Sequence, residues 1–292
     1  MKQVLLVFAL VVVTMQSAQA TLVGVTATNL VTIDPTNAGN VTIIGPHHLP
    51  TGTVPFNSLT YDPVAHKIYG IGLADHGATD DEYIVEYNLQ TGQGTVLAQV
   101  GTNPVTHFEA LEYDHSRGYL IASRTGIPNL IDTSDLVRMN TDGTTVLLAS
   151  TGLDNDFAVY DSIRDIFYTS DSNGVGTLVR ADLGTGSSST VGNVPHEIDD
   201  AAFSSDGDVI YGCSEITNGN CYRLSLNNGG SPLQATSIGQ VGGDRILGLA
   251  FVPASVPVVT VPALTEWGLL LLILALGWAG CLKVRRGLRT QG

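Results

Sequence analysis

Short runs in which apolar and polar residues alternate, broken by Gly, Asp-Pro and Thr-Gly turns, fill the chain from residue 21 to residue 253. Residues 56–101 show the pattern in full. Phe56-Asn-Ser-Leu-Thr-Tyr-Asp-Pro, Lys67-Ile-Tyr-Gly-Ile-Gly, Glu82-Tyr-Ile-Val-Glu-Tyr-Asn-Leu and Thr95-Val-Leu-Ala-Gln-Val-Gly read as four strands. Side chains two apart share a face of a strand, so this alternation buries one face and wets the other. Asp62-Pro63 and Thr91-Gly92 supply the turn chemistry between the strands.

The same order recurs from Phe108, Asp156 and Ile198. With Asp62 as reference, its counterparts are Asp114, Asp161, Ser204 and Val252, at steps of 52, 47, 43 and 48 residues. A period near 45 with four strands per repeat is the pattern of a β-propeller blade. The two ends carry complementary fragments. Residues 22–45 supply a second, third and fourth strand but no first, and residues 245–253 supply a first strand with nothing after it. The expectation is an all-β, five-bladed β-propeller over residues 21–253 whose N- and C-terminal segments share one blade and so remove the free edge. A six-bladed count stays open. A flat sandwich gives no reason for the mirrored half-repeats.

The ends of the chain change the picture. Residues 1–20 combine Lys2, an apolar run from Val4 to Val13 and Ala18-Gln19-Ala20, the pattern of a secretory signal peptide. Residues 254–260 read as a Pro-rich linker, and 268–284 as one transmembrane helix followed by Arg285, Arg286 and Arg289. Between residues 21 and 262 there are eight Lys/Arg against twenty-six Asp/Glu, a net charge of −18. That balance argues against nucleic acid as a partner, because phosphate contacts need Lys and Arg. Cys213 and Cys221 flank one loop between two strand-like runs, and an exported chain is expected to join them as a disulfide. Cys281, in the apolar tail, reads as a small apolar residue.

The repeat resembles the exported propeller repeats of the type Tyr-Val-Thr-Asn and Leu-Tyr-x-Ile-Asp-x-x-Thr-Gly. Such repeats specify a fold and not a chemistry. The tail is more specific. Val261-Pro262-Ala263-Leu264-Thr265-Glu266-Trp267-Gly268, followed by an apolar stretch and a basic end, resembles the IPTL-CTERM sorting signal over residues 261–289. That resemblance implies recognition by an exosortase-type membrane transpeptidase of a Gram-negative bacterium. It also implies a membrane-anchored precursor and delivery to the cell surface or exopolysaccharide matrix. A plain uncleaved anchor remains the alternative.

Catalytic motifs are scarce. The chain has no G-x-S-x-G, no C-x-x-C-H and no H-E-x-x-H. His47-His48, in a loop with prolines on both sides, reads as solvent-exposed, and Asp171-Ser-Asn-Gly and Asp206-Gly-Asp as turns. One constellation stands out. Residues on the predicted first strands place Glu109, Asp154, Asp156, Glu197 and Asp199 around one mouth of the central channel. Crowded carboxylates raise one another's pKa or hold a hard cation such as Ca²⁺. A solvated acidic rim, partly neutralised by Arg245 and His107, needs no cofactor and is the favoured reading. The expected function is therefore a non-enzymatic, surface- or matrix-attached binding or structural protein. The alternative is a metal-dependent enzyme acting at the acidic mouth on a glycan or small molecule.

Overall fold

The computed structural model describes residues 20–50, 52–75, 80–103, 106–126, 134–150, 155–161, 164–171, 176–183, 187–194, 198–204, 208–214, 219–227, 230–242 and 245–253. Every regular element among them is a β-strand. The tail of residues 254–292, with its expected linker, sorting motif and membrane helix, lies outside the described residues, as do residues 1–19. Among the described residues no helix is long and apolar enough to cross a membrane.

The strands form antiparallel meanders. β1 (Thr21–Val25), β2 (Asn29–Asp34) and β3 (Asn37–Pro46) are joined on the β1 side by β20 (Leu249–Val252), giving the order β20-β1-β2-β3. Then come β4 (Thr53–Asp62), β5 (Lys67–Asp75), β6 (Asp80–Tyr87) and β7 (Gly94–Asn103), and β8 (Thr106–Asp114), β9 (Tyr119–Gly126), β10 (Ser134–Met139) and β11 (Thr145–Ser150). These two meanders are linked into one eight-stranded sheet by a single β7–β8 pairing, Thr102 with Thr106. The last two four-stranded sheets are β12 (Asn155–Asp161), β13 (Ile166–Asp171), β14 (Thr177–Asp182) and β15 (Ser188–Asn193), then β16 (Asp200–Phe203), β17 (Val209–Ser214), β18 (Asn220–Asn227) and β19 (Gly230–Gln240).

The expected pooling of the two ends is present. Leu22 pairs with Phe251, Val23 with Ala250 and Gly24 with Leu249. The late first strand is shorter than the sequence pattern suggests, because only Leu249–Val252 forms it. Residues 245–248 still follow β1, with Leu247 N–H donating to Val25 C=O at 2.7 Å and Val25 N–H to Gly248 C=O at 3.0 Å.

First strands contact one another in the cyclic order β4, β8, β12, β16, β20 and back to β4. The apolar core is divided in the same way. One cluster joins Tyr69, Ile71 and Ile84 to Phe108 and Leu111; the next joins Ala110 and Ile121 to Ala158 and Phe167. Phe157 and Tyr168 then meet Ile198 and Leu224, Ala202 and Cys213 meet Leu22 and Ile33, and Val23 and Leu30 meet Leu59 and Tyr87. Each cluster belongs to two neighbouring meanders, and the last returns to the first. The fold is an all-β propeller.

Two devices repeat between neighbours. The first is aromatic: Phe203 on β16 stacks on Tyr168 of the previous meander at 6.1 Å, and Phe251 on β20 stacks on Tyr211 at 6.0 Å. The second is ionic. Asp114 ends β8 and caps the turn through Ser116 N–H at 2.8 Å and Arg117 N–H at 3.0 Å. Arg117 then donates to Asp114 at 2.7 Å and to Asp165 of the next meander at 2.7 Å. One repeat later Arg164 joins Asp161 to Asp208, again at 2.7 Å to each. Burial alone raises the Asp114 carboxyl, but the bonds from Arg117 and Ser116 outweigh it and hold it below the usual carboxylate range.

Cys213 and Cys221 are direct cross-strand partners on β17 and β18, and their sulfurs are bonded. His47, expected in solvent, is instead buried. Its ring lies 2.9 Å, through Nε2, from the carbonyl of Ala27 in the turn between β1 and β2.

Replacing Arg117 by Met should cost about 1–3 kcal/mol in urea unfolding, because the Asp114 side chain is wholly buried and loses its charged donor. Asp165→Asn, on the exposed side of the same pair, should cost well under about 1 kcal/mol. Cys213→Ala with Cys221→Ala should lower stability by roughly 2 kcal/mol, the loop-closure expectation for a separation of 8 residues.

Candidate functional site

The first strands meet around the axis, and at the end where they turn into second strands they enclose a cavity of about 160 Å³. Each of the five contributes. β4 supplies Thr60 and Tyr61 and β8 supplies Glu112, with His115 just beyond it. β12 supplies Tyr160 and Asp161, β16 supplies Phe203 with Ser204 beside it, and β20 supplies Ala250 and Phe251. Pro63 and Pro253 close the rim.

Glu112 is the unusual member. It is 8% exposed, and its Oε2 accepts from Thr60 Oγ1 at 2.8 Å and from Tyr113 N–H at 3.1 Å. Thr60 Oγ1 is itself the acceptor of Tyr113 N–H at 2.8 Å. Two rungs earlier, Ser58 Oγ accepts Leu111 N–H at 2.6 Å and donates to Leu111 C=O at 2.9 Å. These hydroxyls take the Leu111 and Tyr113 N–H groups on the axial edge of β8. Burial pushes the Glu112 carboxyl up to about 8, against the lowering effect of the Thr60 and Tyr113 hydrogen bonds. At neutral pH that balance favours the protonated form. Asp161, on the same wall, is held by Arg164 at 2.7 Å.

A second buried acid lies at β6. Glu82 is fully buried, accepts Phe108 N–H at 2.9 Å and bonds His107 Nδ1. His107 Nε2 stands 3.9 Å from Glu109. Burial opposes the imidazolium, but Glu82, Glu109 and Asp80 outweigh it and raise the His107 pKa.

A family model described as a repeat of unknown function, DUF6923, matches residues 18–245. The chain belongs to this family. No curated protein matches the DUF6923 chain. Among solved structures it is similar to a putative TolB from Agrobacterium tumefaciens, at 14% identity and a TM-score of 0.49, over 80% of this chain and 86% of that one. TolB from Acinetobacter baumannii gives 14% and 0.48 over 76% of this chain, which spans 53% of that protein's length. A putative 6-phosphogluconolactonase from Bacteroides fragilis gives 10% and 0.47, over 82% and 99%. At such identities, and with TM-scores below 0.5, none of these likenesses carries an activity over to the DUF6923 chain.

Of the acidic residues expected at one mouth, Asp154 and Glu197 lie outside the described residues, and the Asp156 side chain is not described. Glu109 sits in a bulge of β8, between Phe108 and Ala110, and not on a regular run. Bulges fall at the same place in β4, between Phe56 and Leu59, and in β12, between Asn155 and Ala158. The even spacing assumed from sequence therefore does not hold there. Asp199 precedes β16 and donates its N–H to the Cys213 carbonyl at 3.1 Å. Among the described residues no three His, Cys, Asp or Glu side chains converge as metal ligands.

Glu112 was missed because an acid inside Phe108-Glu-Ala-Leu-Glu-Tyr-Asp looks like ordinary strand alternation. The repeats contain the signal. The residue before the Tyr61, Tyr113, Tyr160, Phe203 and Phe251 position is Thr60, Glu112, Val159, Ala202 and Ala250. Only one of five is ionisable.

Glu112→Gln should be more stable than the parent by roughly 2–4 kcal/mol at pH 8. With the folded pKa near 8 and the usual value at 4.5, the unfolded chain loses its proton first. The parent's stability therefore falls between those pH values, and the gap to Glu112→Gln should close toward pH 4.5 in urea titrations.

Proposed function

We propose that this chain is an exported binding module, a five-bladed propeller that presents its axial cavity outside the cell. Reading the eight-stranded sheet as two blades, joined only at Thr102 and Thr106, gives the count of five. The observation that carries the binding role is the cavity itself. All five first strands build it, and it combines aromatic and proline walls with one carboxylic acid.

In this reading residues 1–20 direct export. The motif of residues 261–268 hands the precursor to an exosortase-type transpeptidase, and the product stays at the cell surface or in the exopolysaccharide matrix. The sequence of the tail and the net charge of −18 between residues 21 and 262 support that placement. The acidic mouth with Glu109 and Asp199 gives the runner-up, a metal-dependent enzyme.

The purified full-length chain should co-sediment with surface polysaccharide from a Gram-negative host, and Ser204→Trp, which fills the cavity, should lose most of that binding. The polysaccharide length on size exclusion should not change. Shortened polysaccharide would favour the enzyme. Equal sedimentation of the Ser204→Trp chain would remove the cavity from the account.

A further inference from the structure

We propose that the axial cavity takes one uncharged, hydroxyl-bearing ring of monosaccharide size, held by Glu112 acting as a hydrogen-bond donor. The proposal rests on the binding role of the cavity and names the ligand class for it.

The argument begins with the two carboxyl oxygens. Oε2 is occupied as an acceptor by the Thr60 hydroxyl and the Tyr113 N–H. The acid's proton therefore belongs on Oε1, which has no protein partner among the described residues and is left to the cavity. A donor there is free to bond whatever occupies the cavity. The fold does not require that donor, because four of the five repeats place Thr, Val or Ala at the same step of the strand. Glu112 is a local exception at the place where the five strands converge.

The walls select what can accept. Tyr61, Phe203 and Phe251 present ring surface, and the last two are braced from behind by Tyr168 and Tyr211. Such surfaces suit the C–H face of a sugar ring. The cavity's 160 Å³, close to the ~150 Å³ that admits benzene, limits the ligand to one ring with its substituents at the rim. Charge excludes the other classes. An anion meets a strongly acidic protein, and a cation calls for an ionised Glu112 because Asp161 is already held by Arg164.

The remaining titratable groups on the wall are Tyr61 from β4, His115 beyond β8, and Tyr160 and Asp161 from β12; β16 and β20 bring none. The Tyr160 hydroxyl already donates to Asp165 at 2.6 Å. Raising the pH removes the Glu112 donor and places a carboxylate against the ligand's oxygens.

The test uses the full-length chain in a sugar-free detergent, with saturation-transfer NMR on the methyl glycosides of glucose, galactose, mannose and N-acetylglucosamine. At least one should bind at pH 6 and weaken at least tenfold by pH 9.5. Glu112→Gln, which keeps an N–H donor, should bind with that pH dependence removed. Glu112→Val, which copies the residue of the next repeat, should lose at least tenfold at both pH values while melting no lower than the parent. Binding that survives Glu112→Val, or a parent with a flat pH profile, overturns the proposal and leaves the binding role standing. No binding of any glycoside to the parent at pH 6 overturns the proposal and the cavity's binding role together.

Discussion

The fold depends on what happens to unpaired strand edges. A meander of four strands leaves one backbone edge exposed on its first strand, and an exposed edge invites pairing with another chain. Here those edges face the axis. β8 has its axial N–H groups taken by the Ser58 and Thr60 hydroxyls of β4. The one gap in the circle, where the chain enters and leaves, is closed by β20 lying along β1. If that pairing is absent, the clusters on both sides of the shared sheet open to water, because Val23 and Leu249 belong to different neighbours.

Closure also explains why the repeated features are where they are. The aromatic residue near the end of each first strand packs toward the preceding meander, and at Asp114 and Asp161 the acid that follows caps a turn whose Arg reaches the next one. These contacts repeat because every interface poses the same problem. Glu112 does not repeat. Its Oε2 accepts from Thr60 and Tyr113, bonds that Val or Ala at the corresponding positions cannot make, yet its burial works against folding above the ordinary carboxylate range. A residue that weakens the fold where the strands converge is best understood through what it does in the cavity.

Much of the architecture was legible in the chain. Alternation and turn chemistry marked the strands, the spacing of Asp62, Asp114 and Asp161 marked the repeat, and the unmatched ends marked the clasp. The bulges at Glu109 and beside Asp156 were not legible, because each inserts one residue and shifts the alternation at a point the residue types do not mark. Nor was the burial of His47, which follows from a loop folding back onto Ala27 and not from any local pattern. A second candidate went unread for a related reason. Acids were weighed by their number near one mouth, whereas burial and partner geometry, which a sequence does not display, single out Glu112 at the other end of the first strand.

Hydrogen exchange of the full-length chain, read by mass spectrometry, tests the clasp most directly. Amides of residues 249–252 and of β1 should exchange as slowly as those of β8 and β12, since all belong to one closed ring. Rapid exchange of residues 249–252 beside protected β8 and β12 would mean an open array with a free end, and would contradict the account.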